Sequence, residues 1–250
     1  MDIHSYLHRI GYSGSIEPTV DTLRTIHRAH MLTVPFENLD IHAGRRIVLD
    51  PERLYEKIVV QRRGGFCYEL NGLFAELLRG LGYKVTMLSA CVARSEGGFG
   101  PEFDHMTLMV EPEERWIADV GFGESFLEPL RFDFEGEQQQ GHKSYRILKR
   151  EDSRFVYEAW EEGDWVKQYL FSLQPYSMVD YAAMCHYHQT SPQSSFTQKR
   201  VCSRATPEGR ITLRDRKLIR TIRAERQEIE LQTESEYVEA LREHFGIQLN

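Results

Sequence analysis

No apolar run in this 250-residue sequence approaches the length of about 18 residues that a membrane-spanning helix needs. Its opening carries Asp2 and His4 where a secretory leader would carry a basic and then an apolar stretch, so a soluble, cytoplasmic chain is expected. Basic residues are in deficit: 31 Lys and Arg stand against 38 Asp and Glu, and a formal charge of −7 argues against a general nucleic-acid binder. Glycine (18) and proline (9) are too few for a collagen-like or low-complexity chain. The four cysteines, Cys67, Cys91, Cys185 and Cys202, show no CxxC spacing for a zinc knuckle, and a reducing compartment gives no reason for a disulfide framework. No internal repeat is visible, and the one polar stretch is EGEQQQGHK at 135–143. A chain of this length buries roughly three-quarters of its unfolded surface, so a core without staples is enough.

What is present changes period along the chain. In the first third, Thr19, Asp21 and Thr22 offer N-caps for VDTLRTIHRAHML, in which Leu23, Ile26, His27 and His30 recur at helical spacing. A second helix is expected near 51–60, with Pro51 in the first turn where its missing N–H costs nothing. A third follows Gly64-Gly65, setting Cys67, Leu70, Phe74, Leu77, Leu78 and Leu81 on one face, with Gly80 and Gly82 to stop it. From about Val85 the period becomes two. Strands are expected at KVTMLSACVA, HMTLMVEP, RWIADVGF, SYRILKR, RFVYEAW, WVKQYLF and within RITLRDRKLIRTIR, before an amphipathic helix at ESEYVEALREHFG. Helices followed by strands and a mixed end describe an α+β protein with segregated layers, divided at 1–84, 85–199 and 200–250.

Cys67 falls in the first turn of its helix, where unsatisfied N–H groups and the positive dipole end favour thiolate over thiol. A lone cysteine there reads as an ordinary buried side chain, and the other three are read so. Partners change that reading. HMTLMVEPEERWIADVGFG reads as a hairpin turning through Glu111, Pro112 and Glu113. If Val110 pairs with Glu114, then His105 and Asp119 lie opposite each other on one face, with Cβ atoms about 5 Å apart. A turn one residue longer or shorter would part them. A thiolate nucleophile, a histidine that exchanges protons and a carboxylate that orients the histidine form a set suited to acyl transfer.

RGGFCYELN (63–71), FDHMTLMV (103–110) and IADVGFG (117–123) closely resemble the three catalytic motifs of arylamine N-acetyltransferases. VPFENLDI (34–41) resembles that family's signature near its first domain. TSPQSSF (190–196) and VCSRATPEGR (201–210) are similar to its loop before the third. The motifs run in the family's order over about residues 30–210, and from about Arg210 the pattern is matched poorly. The resemblance implies a helical bundle, a β-barrel-like domain and a C-terminal α/β lid around a cysteine-protease-like core. It also implies Cys67 as acetyl-carrying nucleophile, His105 as base and Asp119 as its orienting partner. Acetyl-CoA would be a co-substrate rather than a tightly bound cofactor, and small aromatic amines or hydrazines the acceptors.

Phe36, Phe66, Phe122 and Phe196 flank these motifs, each also readable as core. Gly121 and Gly123 read either as turn residues or as points of close backbone approach to the acyl donor. The substrate and CoA candidates are Phe36, Phe122, Gly123 and Phe196. The basic run 200–226 reads as a solvated strand face balanced by the acidic segment 225–243 in preference to a phosphate site. His186 and His188 flank Tyr187, but no further ligands stand at suitable spacing and no metal is expected. The same three side chains also serve cysteine hydrolases, amidases and transglutaminase-like enzymes. The same fold also suits a different acyl donor or an amide synthase, and a non-catalytic module would leave Cys67 inert. The sequence leaves the oligomeric state open.

Overall fold

The computed structural model describes residues 1–223 and 225–249. Helix α1 (Ile3–Arg9) lies in a stretch to which the sequence analysis assigned no element; α2 (Val20–Thr33) is capped as expected, Thr19 Oγ1 accepting from the Thr22 N–H at 3.2 Å. A two-residue strand β1 (Phe36–Glu37) and a single turn α3 (Leu39–His42) follow. Helix α4 (Pro51–Tyr55) starts on Pro51 under an Asp50 cap and runs into a π-helical turn at Glu56–Val60. The central helix α5 (Cys67–Gly80) buries Leu70, Phe74, Leu77 and Leu78, and Gly82 at φ +93° takes the chain out of it.

Eight strands come next: β2 (Lys84–Val92), β3 (His105–Glu111), β4 (Trp116–Ala118), β5 (Leu130–Arg131), β6 (Gln138–Gln140), β7 (Lys143–Lys149), β8 (Phe155–Glu161) and β9 (Asp164–Tyr176). They form one antiparallel sheet in the order β5-β4-β3-β2-β9-β8-β7-β6, curled into a near-closed barrel. The stretch 135–143, read only as polar, supplies the seam. Gln138 Oε1 accepts from the Arg131 N–H at 2.8 Å while its Nε2 donates to the Arg131 carbonyl at 2.9 Å. Gln140 accepts from the N–H groups of Leu127 and Glu128, both at 3.0 Å, and donates to the Glu128 carbonyl at 2.6 Å. Amide side chains thus stand in for a missing ladder between the two edge strands.

Helices α6 (Ala182–Thr190) and α7 (Ser195–Gln198) lead to β10 (Val201–Thr206), β11 (Gly209–Arg214), β12 (Lys217–Ile222) and β13 (Glu225–Glu230). These four, with β1 at the edge, make a five-stranded antiparallel sheet. On it packs α8 (Glu234–Phe245), whose Tyr237, Leu241 and Phe245 meet Cys202, Leu213 and Leu218. The basic run finds acidic partners here, Arg200 with Glu234 and Lys217 with Glu230. No helix among the described residues is long and apolar enough to cross a membrane.

Strand β3 is buried on both faces. Met106, Leu108 and Val110 face α5 and the helical core, while Met109 belongs to the barrel's own core with Ile117, Tyr157 and Tyr169. The hairpin register differs from expectation: Val110 pairs with Trp116, not Glu114, and Leu108 with Ala118. The expected pairing would have put a charged Glu114 beside Val110 on the core side. Instead Glu114 stays in the turn and pairs with Arg131 at 2.6 Å, and Trp116 takes the place against the helical core. Because the slip is two residues, face assignments survive, and His105 and Asp119 become diagonal rather than directly opposed.

Candidate functional site

Cys67 opens α5 after a loop that only glycine permits. A Cβ on Gly64 would stand 1.9 Å from the Pro35 carbonyl oxygen, and one on Gly65 2.7 Å from Glu69 Cβ. The close approach joins the 34–41 segment to the loop before Cys67, and buried charges hold the junction. Arg63 meets Glu37 at 2.8 Å and Asp40 at 3.0 Å, and Lys57 meets Asp40 and Glu69, both at 2.8 Å. Glu69 in turn accepts the Phe66 N–H at 3.1 Å, fixing the residue just before Cys67. Burial, with the neighbouring charge of Glu37, pushes the Glu69 carboxyl up to about 6 against the pull of Lys57.

Opposite Cys67 comes the end of β4. Asp119 lies just beyond that strand because side chains take the backbone N–H groups that would have continued it. The Asp119 N–H goes to His27 Nε2 at 3.0 Å, that of Val120 to Asn71 Oδ1 at 2.9 Å, and that of Gly121 to Asp119 Oδ1 at 3.0 Å. The buried carboxylate also accepts Asn71 Nδ2 at 2.9 Å and holds His105 Nε2 at 2.7 Å. Burial works to raise this carboxyl, but His105, Asn71 and the Gly121 N–H outweigh it and hold it below the usual carboxylate range. With Nε2 tied to Asp119, Nδ1 is the ring nitrogen left for proton exchange.

Cys67 and His105 line one cavity of about 260 Å³, together with all four residues singled out for binding: Phe36, Phe122, Gly123 and Phe196. The His105 ring meets Phe122 edge-on at 5.0 Å. Phe66 is buried behind, its ring 5.8 Å from that of Phe196. Gly123 sits at φ +56°, a left-handed conformation that favours glycine. Gly121 serves close approach instead: a Cβ there would lie 2.8 Å from Cys67 Cα and 2.9 Å from its carbonyl oxygen. His188 turns into the cavity, while His186 is exposed.

One electrostatic expectation is corrected. Burial pushes the Cys67 thiol well up, the charge of Asp119 adding to it, while a backbone hydrogen bond from Met106 only opposes. The shift runs opposite to the one expected of a cysteine at a helix N-terminus, because burial outweighs what favours the charged form. Burial also raises the other three thiols, Cys91 to about 11, Cys185 to about 12 and Cys202 well above its ordinary value. Cys67 differs from them in facing a cavity shared with a carboxylate-bound imidazole.

Two residues of the site escaped the sequence reading. Asn71 stands four residues after Cys67, one turn along the same helix face, a position that could have marked it. His27 was read only as part of an apolar helical face. Its Nδ1 lies 2.8 Å from the Leu127 carbonyl and its Nε2 accepts from Asp119, so it is held as a neutral imidazole, its pKa depressed by burial to about 4.

A family model described as N-acetyltransferase matches residues 19–250, extending past the point where the motifs ceased to be recognisable. A relative from Salmonella typhimurium, named arylamine N-acetyltransferase / N-hydroxyarylamine O-acetyltransferase, is 38% identical over 209 residues, 83% of this chain and 74% of that one. The solved arylamine N-acetyltransferase structure from Salmonella typhimurium superposes with a TM-score of 0.93 at 34% identity, covering 99% of this chain and 92% of that chain. The Mycobacterium marinum enzyme, solved in complex with CoA, gives 0.91 at 33% identity, with 98% and 93% covered.

Proposed function

Since the chain belongs to the arylamine N-acetyltransferase family, we propose that it moves an acetyl group from acetyl-CoA to an arylamine or arylhydrazine through an acetyl-Cys67 thioester. The observation that carries this reading is the shared cavity of Cys67 and His105, with His105 Nε2 held 2.7 Å from Asp119.

The raised thiol sets the order of events. Cys67 becomes a nucleophile by passing its proton to His105 Nδ1, and Asp119 steadies the imidazolium that results. The sulfur attacks the acetyl carbonyl, the carbon–sulfur bond to CoA breaks, and the leaving thiolate takes the proton from His105. One thioester replaces another, so the acyl group stays reactive. The amine nitrogen then attacks the acetyl-Cys67 carbonyl, His105 accepts the amine proton, and the Cys67 sulfur departs. Weakly basic aromatic amines suit this step because they are unprotonated at neutral pH.

Phe36, Phe122 and Phe196 supply aromatic walls for the acceptor ring. The cavity shares Phe36, Gly123, Ser195 and Phe196 with a groove of about 380 Å³ lined by Lys199, Arg210 and Arg214, a direction whose charge suits the phosphates of CoA. In this reading 1–84 carries the nucleophile, 85–199 the base and its carboxylate, and 200–250 forms the lid.

Intact-protein mass after mixing with acetyl-CoA alone tests it. One acetyl group mapped to Cys67, discharged by an arylamine and absent from Cys67→Ala, is the expected result. An adduct indifferent to amines but lost to water would point to a hydrolase. Absence of any adduct would refute the acetyl-CoA route.

A further inference from the structure

The cavity holding Cys67 and His105 contains a second imidazole and, in its wall, a carboxylate other than Asp119. His188, on α6, and Asp104, just before β3, both line it. His188 is 6% exposed, packed against the rings of Phe196 and Tyr68 at 5.1 and 6.1 Å. Its Nδ1 lies 3.1 Å from Ser194 Oγ, which itself accepts the Phe196 N–H at 3.3 Å. The Asp104 carboxylate beside Nε2 favours the tautomer with its hydrogen on Nε2, and the Ser194 hydroxyl is then free to donate to Nδ1. Nε2 stands 3.2 Å from Asp104 Oδ1 but out of line for a hydrogen bond, and it has no hydrogen-bond partner among the described residues. A buried donor left unbonded is costly, and on a cavity wall it marks a place that a ligand atom completes.

We propose that His188 and Asp104 read the substituent on the acceptor's ring: the Nε2–H donates to it, and the Asp104 carboxylate accepts from it. A neutral group that does both, such as a carboxamide or hydroxyl, satisfies the pair. A carboxylate leaves Asp104 facing like charge, so the site discriminates against benzoate-type arylamines. The assignment rests on the reading that the arylamine enters this cavity to meet acetylated Cys67.

The test is the ratio of kcat/KM for 4-aminobenzamide over 4-aminobenzoate in the wild type and in Asp104→Asn, alongside acetyl loading of Cys67 by mass. A ratio taken within one variant cancels general damage to catalysis. The wild type is expected to favour the amide, and the ratio to fall by about tenfold or more in Asp104→Asn. A ratio that moves by less than about twofold in a variant that loads acetyl overturns the assignment. If Asp104→Asn fails to load, inhibition of the wild type by benzamide and benzoate answers the same question. Benzamide competing with the arylamine while benzoate does not supports the pair; equal inhibition by both, or by neither, overturns it. No acetyl on wild-type Cys67 would bring down the acyl-enzyme reading itself, and that signal is separate from the ratio.

Discussion

In the proposed mechanism the buried thiol becomes a thiolate by handing its proton to His105, which makes the state of that imidazole the controlling variable at the residue scale. That state depends on Asp119, and both oxygens of Asp119 are committed as acceptors, Oδ2 to His105 and Oδ1 to Asn71 and Gly121. Asparagine at this position must turn its NH₂ either toward His105, enforcing the wrong tautomer, or toward two donors that need an acceptor. Asp119→Asn is therefore expected to lower the rate of Cys67 acetylation by about 10²–10⁴-fold, read in single-turnover mass kinetics on protein whose folding is checked by melting. A rate within a few-fold of the wild type would remove Asp119 from the mechanism. Cys67, His105 and Asp119 were legible in sequence because each stands in a short motif. His27 and His188 were not, since a histidine on a helix face has no local mark that says which cavity it meets.

At the scale of elements, pairing was harder to read than existence. Apolar alternation announced the strands around His105 and Asp119. The turn length was decided by a competition between Glu114 and Trp116 for a place against α5, which a count along the hairpin does not weigh. Strand β6 was hidden because its three residues, Gln138–Gln140, carry no apolar pattern. Their contribution is made by side-chain amides across the barrel seam. Gln140→Ala removes the bonds to Leu127 and Glu128 and leaves partly buried backbone groups unpaired. A loss of about 2–3 kcal/mol is expected, at about 1 kcal/mol per bond, measured by urea unfolding. A loss below about 0.5 kcal/mol would mean that the seam does not hold the barrel closed.

For the whole molecule, the parts interlock instead of lying side by side. Strand β1 leaves the helical segment to pair with β10, and α2 reaches the barrel through His27 and Leu127. The second contact makes stability depend on acid. His27 titrates near 6.5 when unfolded and at about 4 in the fold, so the unfolded chain binds the extra proton between those values, and stability falls as pH falls through that window. Its share is about 3 kcal/mol. Glu69, raised to about 6, works in the opposite direction between about 6 and 4.5. Asp119, held below its ordinary value, adds its loss only at lower pH. His27→Gln should therefore lose less stability than the wild type between pH 7 and 4.5, in urea titrations at each pH, although buried His30, depressed in the same direction, keeps part of the dependence; parallel curves would exclude His27 as an acid-sensitive group. The local chemistry was written in the chain: which segments are helix or strand, that Cys67 opens a helix, and that motifs around it belong together, because periodicity, caps and glycine turns act over a few residues. Closure of the barrel by glutamines, the hairpin register, the neutral His27 and the burial that raises the Cys67 thiol were settled by tertiary packing. Each depends on which distant group takes a place in the core, and on how much water that leaves at the sulfur.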